Sequence, residues 1–168
     1  RVDGDQKFVS VSCGYRHTMV LDGEGYLWGY GNNSKGQLGL RHNDDVPTLT
    51  KISDHQFVLV SCGTDHTVTL DREGYIWSCG SNNYGQLGHG DLLSRSSLTR
   101  LELGKVPHQP STFISCKGYS TMAIDINGRL WGCGNNDYGQ LGLGNYQSQL
   151  SFVSVKENIV SVYNNHKR

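Results

Sequence analysis

A stretch of eighteen residues that returns three times confines this chain to repeat architectures before any single residue is considered. Asp22–Gly39 recurs as Asp71–Gly88 and Asp125–Gly142, and nine of the eighteen positions agree in all copies: Asp, the turn Gly, Trp, the Gly after it, one Asn, and a closing Gly-Gln-Leu-Gly. Trp28, Trp77 and Trp131 stand 49 and 54 residues apart, and the five extra residues fit the Glu102–Thr112 connection, which contains Pro107 and Pro110. A second block precedes each copy: Val11-Ser12-Cys13-Gly14-Tyr15-Arg16-His17-Thr18, then Val60–Thr67, then the more divergent Ile114–Thr121. Another copy opens at Ile159-Val160-Ser161-Val162-Tyr163 and the sequence ends there. The expected units are residues 8–56, 57–112 and 113–158, with 159–168 opening a fourth. A chain that starts with Arg and stops inside a unit is expected to be an excised piece.

Within a unit the pattern reads as short strands. Val9, Val11 and Cys13 alternate with Ser10 and Ser12, the period of a half-buried strand, and Gly14 breaks it. Thr18–Leu21 makes a second strand, Asp22-Gly23-Glu24-Gly25 a tight turn, and Tyr26-Leu27-Trp28 a third strand. Pro47–Ile52 supplies a fourth. The 22 glycines among 168 residues fit many tight turns, and the Gly31-Asn32-Asn33 and Gly36–Gly39 runs are expected to need left-handed backbone. Four antiparallel strands in about 50 residues is the arithmetic of a propeller blade.

Several chemistries are excluded by spacing. Gly29-x-Gly31 and Gly132-x-Gly134 lack the third glycine and following helix of a dinucleotide loop. Cys13, Cys62 and Cys116 share one repeat position, Cys79 and Cys133 another, and no Cys-x-x-Cys pair exists, so neither a metal site nor a cofactor is expected. Small apolar filling is the expected role of these thiols; a Cys62–Cys79 or Cys116–Cys133 disulfide would need those strands to touch. Reduced thiols favour the cytoplasm or nucleus. Fifteen Lys+Arg against fifteen Asp+Glu, scattered along the chain, disfavour nucleic acid and chromatin as partners. No run approaches the ~18 apolar residues of a membrane helix, so no membrane contact is expected.

The unit Asp-x-x-Gly-x-(Leu/Ile)-Trp-x-x-Gly-x-Asn-x-x-Gly-Gln-Leu-Gly, preceded by Ser-Cys-Gly-x-x-His-Thr, resembles the repeat of the regulator of chromosome condensation family over Phe8–Gly144. The resemblance implies an all-β fold: a β-propeller with one four-stranded antiparallel blade per repeat, usually seven in the family, of which about three are present. Three blades would leave two apolar faces to be covered by missing blades or by self-association. Trp28, Trp77 and Trp131 are expected to pack between sheets, and Asp22, Asp71 and Asp125 to cap hairpin turns. His17 and His66 admit two readings, a hydrogen bond holding blades together or a partner contact. In family members that act as exchange factors on a Ran-type small GTPase, polar residues of this loop face the GTPase. The positions so implied are Arg16, His17, Asp65, His66 and Tyr119. No nucleophile or paired acid and base is present, so the chain is expected to be a protein-interaction module rather than an enzyme. The alternative is a guanine-nucleotide exchange factor or other modulator of a small GTPase.

Overall fold

The computed structural model describes residues 6–102 and 110–155. Eleven strands and no helix occupy them: β1 Phe8–Cys13, β2 His17–Asp22, β3 Tyr26–Gly31, β4 Val46–Cys62, β5 His66–Asp71, β6 Ile76–Gly80, β7 Arg95–Arg100, β8 Ser111–Lys117, β9 Ser120–Asp125, β10 Leu130–Gly134 and β11 Gln149–Ser154. Each strand pairs antiparallel with its sequence neighbours inside a blade, and β8–β11 form a separate four-stranded sheet. The expected strand at Pro47–Ile52 is the opening part of the 17-residue β4. Trp28 pairs with Lys51 at the outer edge of blade one, while Cys62 pairs with Thr67 in blade two. One continuous strand therefore carries the chain between blades. The opening of the fourth unit, 159–168, and most of the proline-bearing insertion lie outside the described residues.

Blades are held by their faces. Met19, Leu21, Leu27 and Leu38 of blade one pack with Phe57, Val60 and Cys62 of blade two, and Trp77 and Leu98 close the cluster. Val68, Leu70, Ile76 and Leu101 of blade two meet Ile114, Ala123, Cys133 and Phe152 of blade three in the same way. Each fully buried Leu or Phe removes enough apolar surface to be worth roughly 1.5–3 kcal/mol, so the two seams carry most of the stability. The first strand shows what an uncovered seam looks like. Val11 and Cys13 are exposed, whereas Val60 and Cys62 at the matching positions are buried. Periodicity placed Val11 and Cys13 on the seam face, which no described blade precedes to cover; Val9 lies at a register shift of the β1–β2 ladder, and its counterpart Val58 is exposed even in the covered blade.

The turn chemistry follows the repeat. Asp22 Oδ1 accepts from the backbone N–H of Glu24 and Tyr26, and Asp71 and Asp125 repeat the pattern. The other carboxylate oxygen accepts the indole N–H of Trp28, Trp77 or Trp131 at 2.8, 2.9 and 3.1 Å. Burial alone would raise these carboxyls, but the indole and amide donors outweigh it and hold all three below the ordinary value. The tryptophans pack between sheets only in part: Trp77 and Trp131 lie half-buried against the seams, and Trp28 meets Phe8 edge-on. Among the predicted left-handed positions, Gly31, Gly36 and Gly39 have φ of 107°, 77° and 76°. Asn32 and Asn33 do not. Asn33 acts through its side chain, donating to His42 O and accepting from Leu38 N–H, which pins the Gly36–Gly39 turn.

Candidate functional site

Strand register fixes which loops share an end of the molecule. His17 pairs with Gly31 and Gly31 with Val46, so the β1–β2 turn and the long β3–β4 loop leave the same edge of blade one. His66, Gly80 and Arg95 do the same in blade two. The β1–β2, β4–β5 and β8–β9 turns are joined across the blades by backbone bonds, Tyr15 N–H to Thr64 O at 3.1 Å and Thr64 N–H to Gly118 O at 2.8 Å. They form one row, rigid because each link is a main-chain bond between blades.

Arg16, Asp65 and Tyr119 occupy the same place in successive turns of that row, and the structure brings all three to the loop end. Arg16 is exposed and lies over the Tyr15 ring, its Cζ 5.1 Å from the centroid. Asp65 is half-buried, and its backbone carbonyl is tied to Ser81 N–H. Tyr119 is exposed and packs on Tyr84 of the preceding blade, ring centroids 5.2 Å apart. Tyr84 was not singled out by the sequence. Its repeat position holds Lys35 in unit one and Tyr138 in unit three, and its partner Tyr119 lies 35 residues on, so the contact forms only once blades stack.

His17 and His66 do not belong to this surface. Both are buried, and each reaches across a seam: His17 Nε2 lies 2.9 Å from Thr67 Oγ1, and His66 Nε2 lies 3.0 Å from Thr121 Oγ1. The Thr67 and Thr121 hydroxyls donate to the carbonyls of Gln37 and Gln86, at 2.7 Å each. A hydroxyl has one proton, so toward histidine it accepts; the imidazole is neutral with its proton on Nε2. The bare Nδ1 of both rings is buried with no partner. Burial pulls His17 down to about 4, and burial with a smaller push from His17 takes His66 to about 3. The partner-contact expectation for this pair is thus corrected: they are seam clamps. Gly14 and Gly63 make room for them, since a β-carbon on either would run into the following imidazole. Unit three, with Lys117 for the glycine and Ser120 for the histidine, changes both members together.

Cysteine positions reinforce the same seams. All five thiols are free. Cys62 and Cys79 pair with the same residue, Thr67, from opposite sides. Their strands are therefore separated by β5, roughly 9–10 Å at ordinary strand spacing, too far for a disulfide. Cys79 Sγ donates to Gln37 O at 3.4 Å and Cys133 Sγ to Gln86 O at 3.6 Å. Desolvation pushes Cys62 up to about 11 and Cys116 to about 12, so neither is a nucleophile. Among the described residues no group of His, Cys, Asp or Glu has the arrangement to hold a metal ion.

One polar contact of the repeat is missing in the middle blade. Gln37 Nε2 donates to Asn32 Oδ1 at 2.7 Å, and Gln140 Nε2 donates to Asn135 Oδ1. Ser81 replaces that asparagine in unit two, and Gln86 Nε2 is buried without an acceptor. Ser81→Asn restores the acceptor and is expected to stabilise the protein by about 1 kcal/mol, because an unmet buried donor carries its full desolvation penalty. An unchanged or lower urea midpoint would refute that account.

Two connections are long, Arg41–Gln56 and His89–Thr112. Most of the first is strand, since β4 starts at Val46, and β7 covers Arg95–Arg100 of the second. Among the described residues the loops are braced across the seams, with Leu40 bridging to Ser97 and His89 to Ser151 of the next blade; residues 103–109 lie outside the described residues.

Comparison with known proteins agrees with this architecture. Models of the regulator of chromosome condensation repeat match residues 24–70, 73–124 and 127–162, and in a second form 8–37, 57–86 and 112–140. The ultraviolet-B receptor UVR8 of Arabidopsis thaliana is 36% identical over 149 residues, covering 87% of this chain and 33% of that protein. Protein RCC2 of Mus musculus is 36% identical over 167 residues, covering 90% of this chain and 28% of that protein. The structure of human WBSCR16 superposes with a TM-score of 0.81 at 29% identity, over 93% of this chain and 42% of that one. Prp20p of Saccharomyces cerevisiae superposes with a TM-score of 0.80 at 18% identity, over 91% of this chain and 39% of that one. The chain spans a third or less of these curated relatives. With three blades built on one repeat, seams clamped at the same positions and repeat models matching most of its length, this chain belongs to the regulator of chromosome condensation repeat family.

Proposed function

We propose that the chain is a protein-binding module whose partner lies on the loop end, across the row that carries Arg16, Asp65 and Tyr119. The observation that carries the reading is the row itself: three turns in register, fixed by interblade main-chain bonds, whose side chains differ from blade to blade. A rigid frame with variable outward residues is the arrangement that recognition surfaces use. The roles of His17, His66, Cys62 and Cys116 are compatible with it, since these histidines are neutral and hydrogen-bonded across the seams and these thiols are raised by burial.

Within that reading the partner is a Ran-type small GTPase, which the chain would regulate by surface complementarity without a nucleophile. Prp20p, which shares the fold, has been studied for its binding to Gsp1p and histones. The free thiols favour a reducing compartment, cytoplasm or nucleus. Titration with nucleotide-free and GDP-loaded Ran-type GTPase tests the proposal. The chain is expected to bind the nucleotide-free form more tightly, and the triple variant Arg16→Ala, Asp65→Ala, Tyr119→Ala to lose about tenfold or more in affinity with its unfolding midpoint nearly unchanged. Absence of binding to either form removes the GTPase, and an unaffected triple variant removes this row as the contact.

A further inference from the structure

We infer that Arg41 grips a carboxylate: the groove where the β3–β4 loop crosses from blade one to blade two takes an extended acidic peptide, whose glutamate or aspartate pairs with this guanidinium. None of the groove's residues belongs to the loop-end row, and a GTPase partner is not required for it.

The backbone gives the first sign. Arg41 has φ of 68°, and among the described residues no other non-glycine has positive φ. Units two and three place Gly90 and Gly144 at this position, with φ of 81° and 74°. Glycine adopts that conformation at no steric cost, whereas a residue with a β-carbon resists it. The bend itself is common to the units: Arg41 N–H donates to Ser96 O at 2.7 Å, as Gly90 N–H does to Leu150 O at 2.9 Å. Glycine would therefore serve the fold as well, and what unit one gains is the side chain. Within the fold that side chain has no use: the residue is exposed, and its guanidinium makes no hydrogen bond, ion pair or ring contact with the described residues. Strain kept without an internal return points to function.

The surroundings define the ligand. Arg41 borders a cavity of about 570 Å³ together with Leu40, Lys51, Ser53, Asp54 and His55. The other charges there are matched. Lys51 Nζ lies 2.8 Å from Asp54 Oδ1 and 3.8 Å from the centroid of the Tyr26 ring, and His55 Nε2 lies 3.3 Å from Oδ2 of the buried Asp71. One cation is left over, so a single negative charge balances the groove, and the planar fork of a guanidinium meets a carboxylate in two parallel hydrogen bonds. A phosphoryl group carries nearly twice that charge and would face the exposed Asp54 carboxylate. The neighbouring strand favours a peptide over a lone acid. Residues 46–51 of β4 ladder with β3, and their other edge has no strand partner among the described residues; it reaches the groove at Lys51. Such an edge accepts an extended segment through main-chain hydrogen bonds, with adjacent pockets reading its alternate side chains.

Two blocked hexapeptides test this, acetyl-Thr-Val-Glu-Val-Thr-Val-amide and its glutamine counterpart, titrated into the chain and followed by NMR at the Arg41 Nε–H and the Ile52 and Ser53 amides, with urea midpoints of each variant measured alongside. The glutamate peptide is expected to bind about tenfold more tightly than the glutamine peptide. Arg41→Gly is expected to abolish that preference while its midpoint stays equal or rises, and Arg41→Lys to keep only part of it. Equal binding of the two peptides, no binding by either, or a preference that survives Arg41→Gly overturns the inference. A lower midpoint for Arg41→Gly also overturns it, because the arginine would then be repaid inside the fold. Displacement of the glutamate peptide by inorganic phosphate at lower concentration than by acetate overturns the carboxylate as the ligand.

Discussion

Replacing Gly63 by alanine is expected to lower stability by about 3 kcal/mol, a large effect for a single methyl on a strand-end turn. Gly63 does not have positive φ, so the backbone tolerates a side chain. The obstacle is the His66 imidazole, which occupies the volume a β-carbon needs; that β-carbon would also lie 2.7 Å from Gly118 O of the next blade. Pushing the ring away breaks its contact with Thr121 and opens the seam where Val68, Leu70 and Ile114 are buried. The repeat contains its own control in Lys117 and Ser120. Gly63→Lys combined with His66→Ser should therefore be more stable than the sum of the single changes by about 1–2 kcal/mol, with full recovery prevented by Gly118 O. Urea midpoints of the four proteins give the coupling directly. Strict additivity would mean that the ring and the glycine are independent and that the seam is held by apolar packing alone.

Stability is expected to fall as the pH drops from about 6.5 toward 4, before the carboxylates titrate. The sign follows from proton uptake. In the unfolded chain His17 and His66 regain the ordinary value near 6.5 and bind protons, whereas in the fold they stay neutral down to about 4 and about 3. Between those limits the unfolded state binds more protons, so unfolding becomes easier with each step down in pH. At roughly 1.4 kcal/mol per unit, the loss is on the order of 3 kcal/mol for His17 by pH 4, with a comparable share from His66. The structural reason is the bare Nδ1: a proton added there is buried without an acceptor, and Nε2 is committed to a threonine hydroxyl. Asp22, Asp71 and Asp125, held below their ordinary value, add stability that is lost only at still lower pH, as it falls through their folded values. His17→Gln with His66→Gln keeps an amide donor for the hydroxyls but cannot titrate. Thermal unfolding of that variant should be nearly flat between pH 6.5 and 4.5. A slope equal to the wild type would show that other groups carry the acid sensitivity.

The sequence by itself determined the repeat, the strand order within a unit and the turn residues, because those depend on interactions between residues close in the chain. Asp22 and Trp28 are six residues apart, and Asn33 and Leu38 five, so their bonds close inside one copy and must recur wherever the copy does. Tertiary structure alone decided what happens between copies. His17 and Thr67 are 50 residues apart. From the chain an exposed histidine and a clamped one look alike, and only the stacking of blades buries the ring and removes it from the candidate surface. The same applies to Tyr84 against Tyr119 and to the covered Val60 against the uncovered Val11. A tandem repeat writes its local hydrogen bonds into every unit, but whether a side chain ends in a seam or in solvent is set by the neighbouring blade, and that information lies one period away.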